Sequence, residues 1–253
     1  MPDRTDLLVV GAGPYAYSAA ALARDNGIET RIVGHPMAFW RQHMPADMFL
    51  RSGPDWHLDG RGEHTFEAFF EDRGLRRQDV DPIPIAVFLD YTQWFRERKS
   101  LDIDERLVTG LTKPDGAFVA TMEDGGTITA DKVLVAPGIS HFLNLPAWYA
   151  DVPPARRSHT CELVSFDELA GARVVIIGGR QSAYEWAALL CDHDAEHVDV
   201  VHRHSTPSFA RVSVWSTYRS TKAQLTLANA GVLWRCTTST CSASWSASSA
   251  AHS

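Results

Sequence analysis

The stretch Asp6-Leu7-Leu8-Val9-Val10-Gly11-Ala12-Gly13-Pro14-Tyr15-Ala16 decides the fold. Residues 6–10 form a short, mostly apolar run suited to a buried parallel strand. The turn that follows has the spacing G-x-G-x-x-A. In that pattern Gly11 permits the tight turn, Gly13 lets the backbone approach a pyrophosphate, and the small Ala16 allows close helix packing. The helix that follows presents exposed N–H groups suited to phosphate oxygens, and Pro14 and Tyr15 count with the glycines and Ala16 as cofactor contacts. Residues 18–24 are rich in alanine and leucine, as in a helix, and Asn26-Gly27 ends it. Thr30-Arg31-Ile32-Val33 then reads as a second strand, which completes a βαβ unit. The spacing predicts dinucleotide binding; the same turn without a ligand would suit a flavodoxin-like sheet.

Residues 36–62 are rich in Met, Trp, Arg and Pro and read as an irregular segment. Ile85 to Arg98 carries apolar residues at helical spacing. Short alternating runs follow at 106–109, 117–121 and 127–129, punctuated by Pro114-Asp115-Gly116 and Asp124-Gly125-Gly126. Those are hairpin turn residues. Lys132 to Ala136 is another buried-type strand, ending in Pro137-Gly138.

The opening device returns at Ala172. Residues 173–177 are the strand, Gly178-Gly179 the turn, 181–191 the helix and 196–201 the next strand. This second fingerprint, Gly178-Gly179-Arg180-Gln181-Ser182-Ala183, has Arg180 where the middle glycine belongs. A side chain there limits backbone approach to a phosphate, although a guanidinium can contact one itself. The following strand ends in His202-Arg203-His204. Arg203 stands where an NAD site carries an acid, and arginine suits a 2′-phosphate, so NADPH is expected over NADH. The bland reading is a helix-packing turn with no ligand. At the first fingerprint the expected ribose acid is missing: Gly34 and His35 hold its place, and Arg41 is a substitute contact.

Composition excludes other classes. The 253 residues carry 24 Lys plus Arg against 31 acids, a net charge of −7, which argues against nucleic acid as a partner. The leader is acidic and glycine interrupts the apolar run after it, so neither a secretory signal nor a spanning helix is expected. A soluble, cytoplasmic protein away from membranes is the expectation. Four cysteines do not make a disulfide scaffold. The histidines are scattered, so no metal site is expected, and no G-x-S-x-G elbow accompanies Ser158-His159-Thr160.

Two dinucleotide fingerprints in one chain lead to a resemblance. Its marks are VVGAGPYA at the start, FWRQHMPADMFLRS at 39–52, FLDYTQWF at 88–95, VLVAPG at 133–138, and His159 upstream of VVIIGGRQSAYE. Over residues 5–210 the chain resembles the two-dinucleotide-binding-domain flavoproteins, and within them the flavin-containing monooxygenase group. The resemblance implies an α/β fold: a Rossmann-like FAD-binding domain with a β-hairpin insertion, plus a partial second Rossmann-like NAD(P)-binding domain. Residues 1–139 form the FAD-binding domain in this reading, 140–171 a linker, and 172–234 the partial NAD(P)H-binding domain. Residues 235–253 are a low-complexity tail expected to be disordered, since 14 of the 18 residues from 236 are Ser, Thr or Ala.

In relatives NADPH reduces FAD, and the reduced flavin captures molecular oxygen as a C4a-(hydro)peroxyflavin that oxygenates a small-molecule substrate. Hydroxylation of a heterocycle such as urate, N-hydroxylation and Baeyer–Villiger oxygenation all fit. The resemblance implies that Trp40, Arg51 and Ser52 wrap the flavin; an ordinary irregular loop reads equally well. Gly138 belongs to the segment that joins the two domains in relatives. His159 answers to the histidine of the subgroup fingerprint, with a role in placing nicotinamide, or is a hydrogen-bonding surface residue. Disulfide-reductase relatives need a redox pair beside the flavin, whereas Cys236 and Cys241 fall in the tail and Cys161 and Cys191 stand alone. The shift at Leu233-Trp234-Arg235 to an uncharged Ser/Thr/Ala run suggests a truncated or frameshifted reading frame. A non-catalytic nucleotide-binding fragment is therefore the alternative. No motif encodes an oligomeric state.

Overall fold

The computed structural model describes residues 3–203 and 234–236. The chain divides into two compact units, residues 1–153 and 154–253. The division falls inside the stretch 140–171.

The first unit contains β1 (Asp3–Val10), α1 (Pro14–Asp25), β2 (Thr30–Val33), α2 (Ala38–Gln42), α3 (Phe66–Arg73), α4 (Arg77–Val80), α5 (Ile85–Arg98), β3 (Ile103–Asp104), β4 (Val108–Thr112), β5 (Phe118–Met122) and β6 (Thr127–Val135). They build one sheet in the order β3-β2-β1-β6-β5-β4. The strands β3, β2, β1 and β6 are parallel, and β6, β5 and β4 form antiparallel hairpins. This is the Rossmann-like sheet with a hairpin insertion that the sequence implies.

Local chemistry explains the elements. Helix α1 begins at Pro14, four residues before the alanine-rich run, because proline fixes φ at the first helical position and loses no hydrogen bond there. It buries Ala16, Tyr17, Ala20, Ala21 and Ala23, and small side chains let it lie close to the sheet. Helix α5 turns Phe88, Tyr91, Trp94 and Phe95 inward. Its Tyr91 stacks on Phe66 of α3 at 3.9 Å between ring centroids. Each such ring, fully buried, stabilises by roughly 1.5–3 kcal/mol.

Three sequence expectations need correction. Residues 127–135 are one continuous strand, where two runs at 127–129 and 132–136 are expected. Its charged centre, Asp131-Lys132, is exposed, and Arg4 on β1 pairs with Asp131, so polarity there does not break the ladder. The strand expected at 106–109 starts at Val108 instead. Arg106 is drawn out of register by ion pairs to Asp104 at 2.6 Å and Asp124 at 2.8 Å. The segment 36–62 is irregular apart from α2, which Met37 caps in a left-handed conformation, φ 54°.

That irregular segment is held by a buried ion cluster. Asp59 accepts N–H bonds from Arg61 at 3.0 Å, Glu63 at 3.2 Å and His64 at 2.8 Å. The Lys99 ammonium, just past α5, lies 2.9 Å from Asp25 at the end of α1 and 3.4 Å from Asp59. One lysine thus ties two helix ends to the loop. Burial alone would raise the Asp59 pKa. The N–H groups of Arg61 and His64, the His64 ring and the Lys99 charge outweigh it and hold the carboxyl well below its usual range.

The second unit holds β7 (Arg173–Ile177), α6 (Gln181–Asp192), β8 (His197–Val201) and β9 (Trp234–Cys236). The pair β7 and β8 is parallel, and β9 runs antiparallel on β8. Arg235 and Cys236, assigned to the tail from composition, thus pair with Asp199 and Val198. The rest of that tail, and His204, lie outside the described residues. Ala183 and Tyr184 of α6 pack on Val200. No helix among the described residues is long and apolar enough to cross a membrane.

Candidate functional site

The carboxyl ends of β1, β2, β3 and β6 form one edge of the first sheet, where open α/β sheets bind ligands. Gly11 ends β1 with φ 113° and donates its N–H to Val33 at 2.8 Å. A Cβ on Gly11 would overlap the carbonyl oxygen of Ala136, at the end of β6. Gly34 ends β2 with φ 125°, and its own Cβ would touch Gly11 Cα at 3.4 Å. The Met37 N–H then donates to Ala12 at 2.9 Å, which fastens the turn after β2 to the glycine turn. Only glycine fits where three strand ends converge this closely.

Gly13 differs. Its φ is −94°, and a Cβ there would meet nothing within 4 Å. It caps α1 without a side-chain acceptor, and the first turn holds no acid. The leading N–H groups of α1 are therefore left for an anion from outside. Ala16 is fully buried, as the packing role requires, and Tyr15 is 85% exposed beside the turn. The open volume above Gly13 and the uncapped helix start fit a dinucleotide pyrophosphate.

The remaining flavin-side candidates separate. Trp40 is half-buried and meets Phe88 edge-on at 4.8 Å, so it belongs to the aromatic packing on α5. Arg41, Arg51 and Ser52 are exposed, the first on α2 and the other two in the loop after Leu50. Gly138 has φ 76° and open space around it.

The second unit repeats the device with different contacts. Gly178 has φ 154° and donates to Val201 at 2.9 Å. A Cβ on Gly179 would lie 2.7 Å from His202 Cβ. Glycine is thus required at 179 by the residue after β8. Arg180 is the N-cap of α6, and Gln181 and Ser182 form its exposed first turn, with Ala183 buried beneath. Gln181 donates to Glu185 at 2.9 Å. Arg180 and Arg203 are both exposed at the carboxyl ends of β7 and β8. Gly179→Ala should lower the thermal midpoint by the equivalent of about 1–3 kcal/mol, because backbone or His202 must move. An unchanged midpoint would refute that contact.

His159 occupies a tight turn. Its Nδ1 accepts from the Cys161 N–H at 3.1 Å, and its own N–H donates to Glu162 at 3.1 Å. Asp59, Glu63 and His64 bring ligand atoms within 4.8 Å of one another, a cluster the sequence did not suggest. Lys99 already supplies its counter-charge, 3.4 Å from Asp59 and 3.8 Å from Glu63.

Sequence reasoning missed Ala136, Met37 and His202 as neighbours of the glycine turns. Pairing of distant strand ends, not a local pattern, puts them there.

The sequence profile of the pyridine nucleotide-disulphide oxidoreductase family matches residues 5–245. A FAD-dependent urate hydroxylase of Xanthomonas campestris is 30% identical over 54% of this chain and 30% of its own length. A ferredoxin–NADP reductase of Paraburkholderia phymatum is 25% identical over 88% of this chain and 58% of its own. The chain thus spans between three-tenths and three-fifths of the length of such relatives. Among solved structures, bacillithiol disulfide reductase of Staphylococcus aureus superposes with a TM-score of 0.67 at 20% identity, over 81% of this chain and 59% of that one. The flavin-containing monooxygenase of Stenotrophomonas maltophilia gives 0.63 at 21% identity, over 82% and 60%. At those identities the structures speak for the fold.

Proposed function

The chain belongs to the pyridine nucleotide-disulphide oxidoreductase family, whose members bind FAD and NAD(P)H, and from that premise we propose that it is the two-nucleotide core of an NADPH-using flavin monooxygenase acting on a small organic molecule. The observation that carries this reading is the pairing of two glycine turns with a flavin-side unit that has no cysteine: all four lie at or beyond position 161. A flavin held by the first unit has no thiol of that unit to reduce. The match to a FAD-dependent urate hydroxylase supports hydroxylation of a small molecule.

The chain's own groups would work as follows. The N–H groups of the first turn of α1 bind the pyrophosphate, with Gly13 leaving room for it. Gly11, Gly34 and the Met37–Ala12 bond hold that turn rigid, so binding costs little reorganisation. In the second unit the glycine turn faces a nucleotide phosphate, and Arg180 and Arg203 provide the guanidinium charge that a 2′-phosphate needs. FAD, when bound, supplies hydride acceptance from NADPH and the reaction with oxygen. His159, whose Nδ1 accepts from the Cys161 N–H, has Nε2 left to meet a nicotinamide carboxamide.

A second reading rests on the ferredoxin–NADP reductase match across 88% of the chain: electrons leave to an external carrier instead of oxygen. The absorption spectrum of the purified chain with added FAD, followed by NADPH under air, separates the readings. A flavin band that bleaches and returns with oxygen uptake supports the monooxygenase. Bleaching that returns only with ferricyanide supports the reductase. A chain that takes up no FAD would identify a nucleotide-binding fragment.

A further inference from the structure

Resting on the flavin reading above, we propose that Glu105, at the end of β3, replaces the missing acid of β2 and holds the ribose hydroxyls of the FAD adenosine. In this fold a dinucleotide's ribose lies beyond the second strand, where a carboxylate accepts its hydroxyl hydrogens. That position is Gly34-His35 here, and a glycine and an imidazole offer no pair of oxygens to a vicinal diol.

The tertiary structure brings another acid to the same place. Strand β3 pairs in parallel with β2, with Val33 opposite Asp104. The Gly34 N–H donates to the Asp104 carbonyl at 2.8 Å. Glu105 therefore leaves its strand beside the Gly34-His35 step, at the same sheet edge as the glycine turn. Two acids stand there, and they differ. Asp104 is engaged: Arg106 contacts both its oxygens, at 2.8 and 2.6 Å, and Arg31 lies 3.6 Å away. Glu105 is exposed and has no hydrogen bond or ion pair among the described residues.

A second observation agrees with Glu105 lying near α1. The buried Tyr17 phenol, one turn along α1 from Gly13, feels the charges of both Glu105 and Arg41. Burial raises its pKa most; Arg96 and Arg41 oppose that, and Glu105 reinforces it. Glu105 and Arg41 thus both act, with opposite sign, on a phenol carried by α1. A carboxylate there can accept two hydroxyl bonds from a ribose, while Arg41 is left to the adenine or phosphate side. Charge-assisted bonds of this type are the strong ones.

The test is a chemical double-mutant cycle on the full chain. Flavin fluorescence quenching measures the affinity of FAD and of FAD bearing 2′,3′-dideoxyadenosine, for the wild type, Glu105→Ala and His35→Ala. The wild type and His35→Ala should prefer FAD by about tenfold or more. Glu105→Ala should bind FAD about tenfold more weakly and show no preference between the two, with an unchanged thermal midpoint. Glu105→Ala binding FAD as the wild type does, or keeping the preference, overturns the assignment. Loss of preference in His35→Ala instead places the contact at β2 and overturns it too. A wild type that quenches neither flavin rejects the flavin reading itself, and the two failures are thus distinct.

Discussion

Gly11→Ala is expected to destabilise the chain by about 3–5 kcal/mol, a large share of the ~5–15 kcal/mol that holds a typical domain together. Two effects add. The φ of 113° is strained for any side chain, which costs roughly 1–3 kcal/mol. The new methyl also runs into the Ala136 carbonyl, a backbone group fixed by its N–H bond to Val10 at 2.7 Å. Relief would require the ends of β1 and β6 to part, at the centre of the sheet. Gly13→Ala is the matched control. Its φ suits alanine and its Cβ meets nothing, so stability should change by no more than about 1 kcal/mol, the value of a helix cap. Its methyl projects instead into the space assigned to the pyrophosphate, and FAD affinity should fall at least tenfold. Denaturant melts and flavin titration of both variants decide the matter. Equal melts for Gly11→Ala and the wild type would disprove the convergence of strand ends described above.

The second large effect is expected at Lys99. Its side chain is 7% exposed and that of Asp59 is 1%. Lys99→Met leaves Asp59 and Asp25 without their shared counter-charge, and breaking a buried pair in this way costs about 3–5 kcal/mol. Asp59→Asn should also destabilise. The double variant should lose less than the sum of the two, because the groups are in contact. The pH dependence has a definite sign. The folded Asp59 carboxyl titrates below its unfolded value of about 3.9, so its contribution is complete at neutral pH. It is lost as pH falls below that value toward the folded one. Stability of the wild type should therefore drop more steeply below about pH 4 than that of Asp59→Asn. Parallel acid profiles for the two proteins would show that Asp59 does not carry the cluster.

The boundaries that sequence determined are those written in local periodicity. Val10-Gly11-Ala12-Gly13-Pro14 marks the strand–turn–helix unit, because glycine admits the positive φ of the turn and proline sets φ at the first helical position. Strand β2 at Thr30–Val33, helix α5 at Ile85–Arg98 and strand β7 at Arg173–Ile177 fall where apolar spacing puts them. The two-fingerprint architecture followed from those segments. What stands around the turns depends on pairing between distant segments. Strand β3 has two residues, too few for any period, yet its pairing carries Glu105 to Gly34. The carbonyl that makes Gly11 indispensable belongs to Ala136, on a strand whose charged middle hides its continuity. Asp59 and Lys99 meet because two helix ends and a loop converge, and His202 packs on Gly179 because β8 lies beside β7. A window of sequence specifies the conformation of its own backbone. Which distant groups share a strand edge depends on how the sheet closes its ladder, and that is settled only when all the strands are in place.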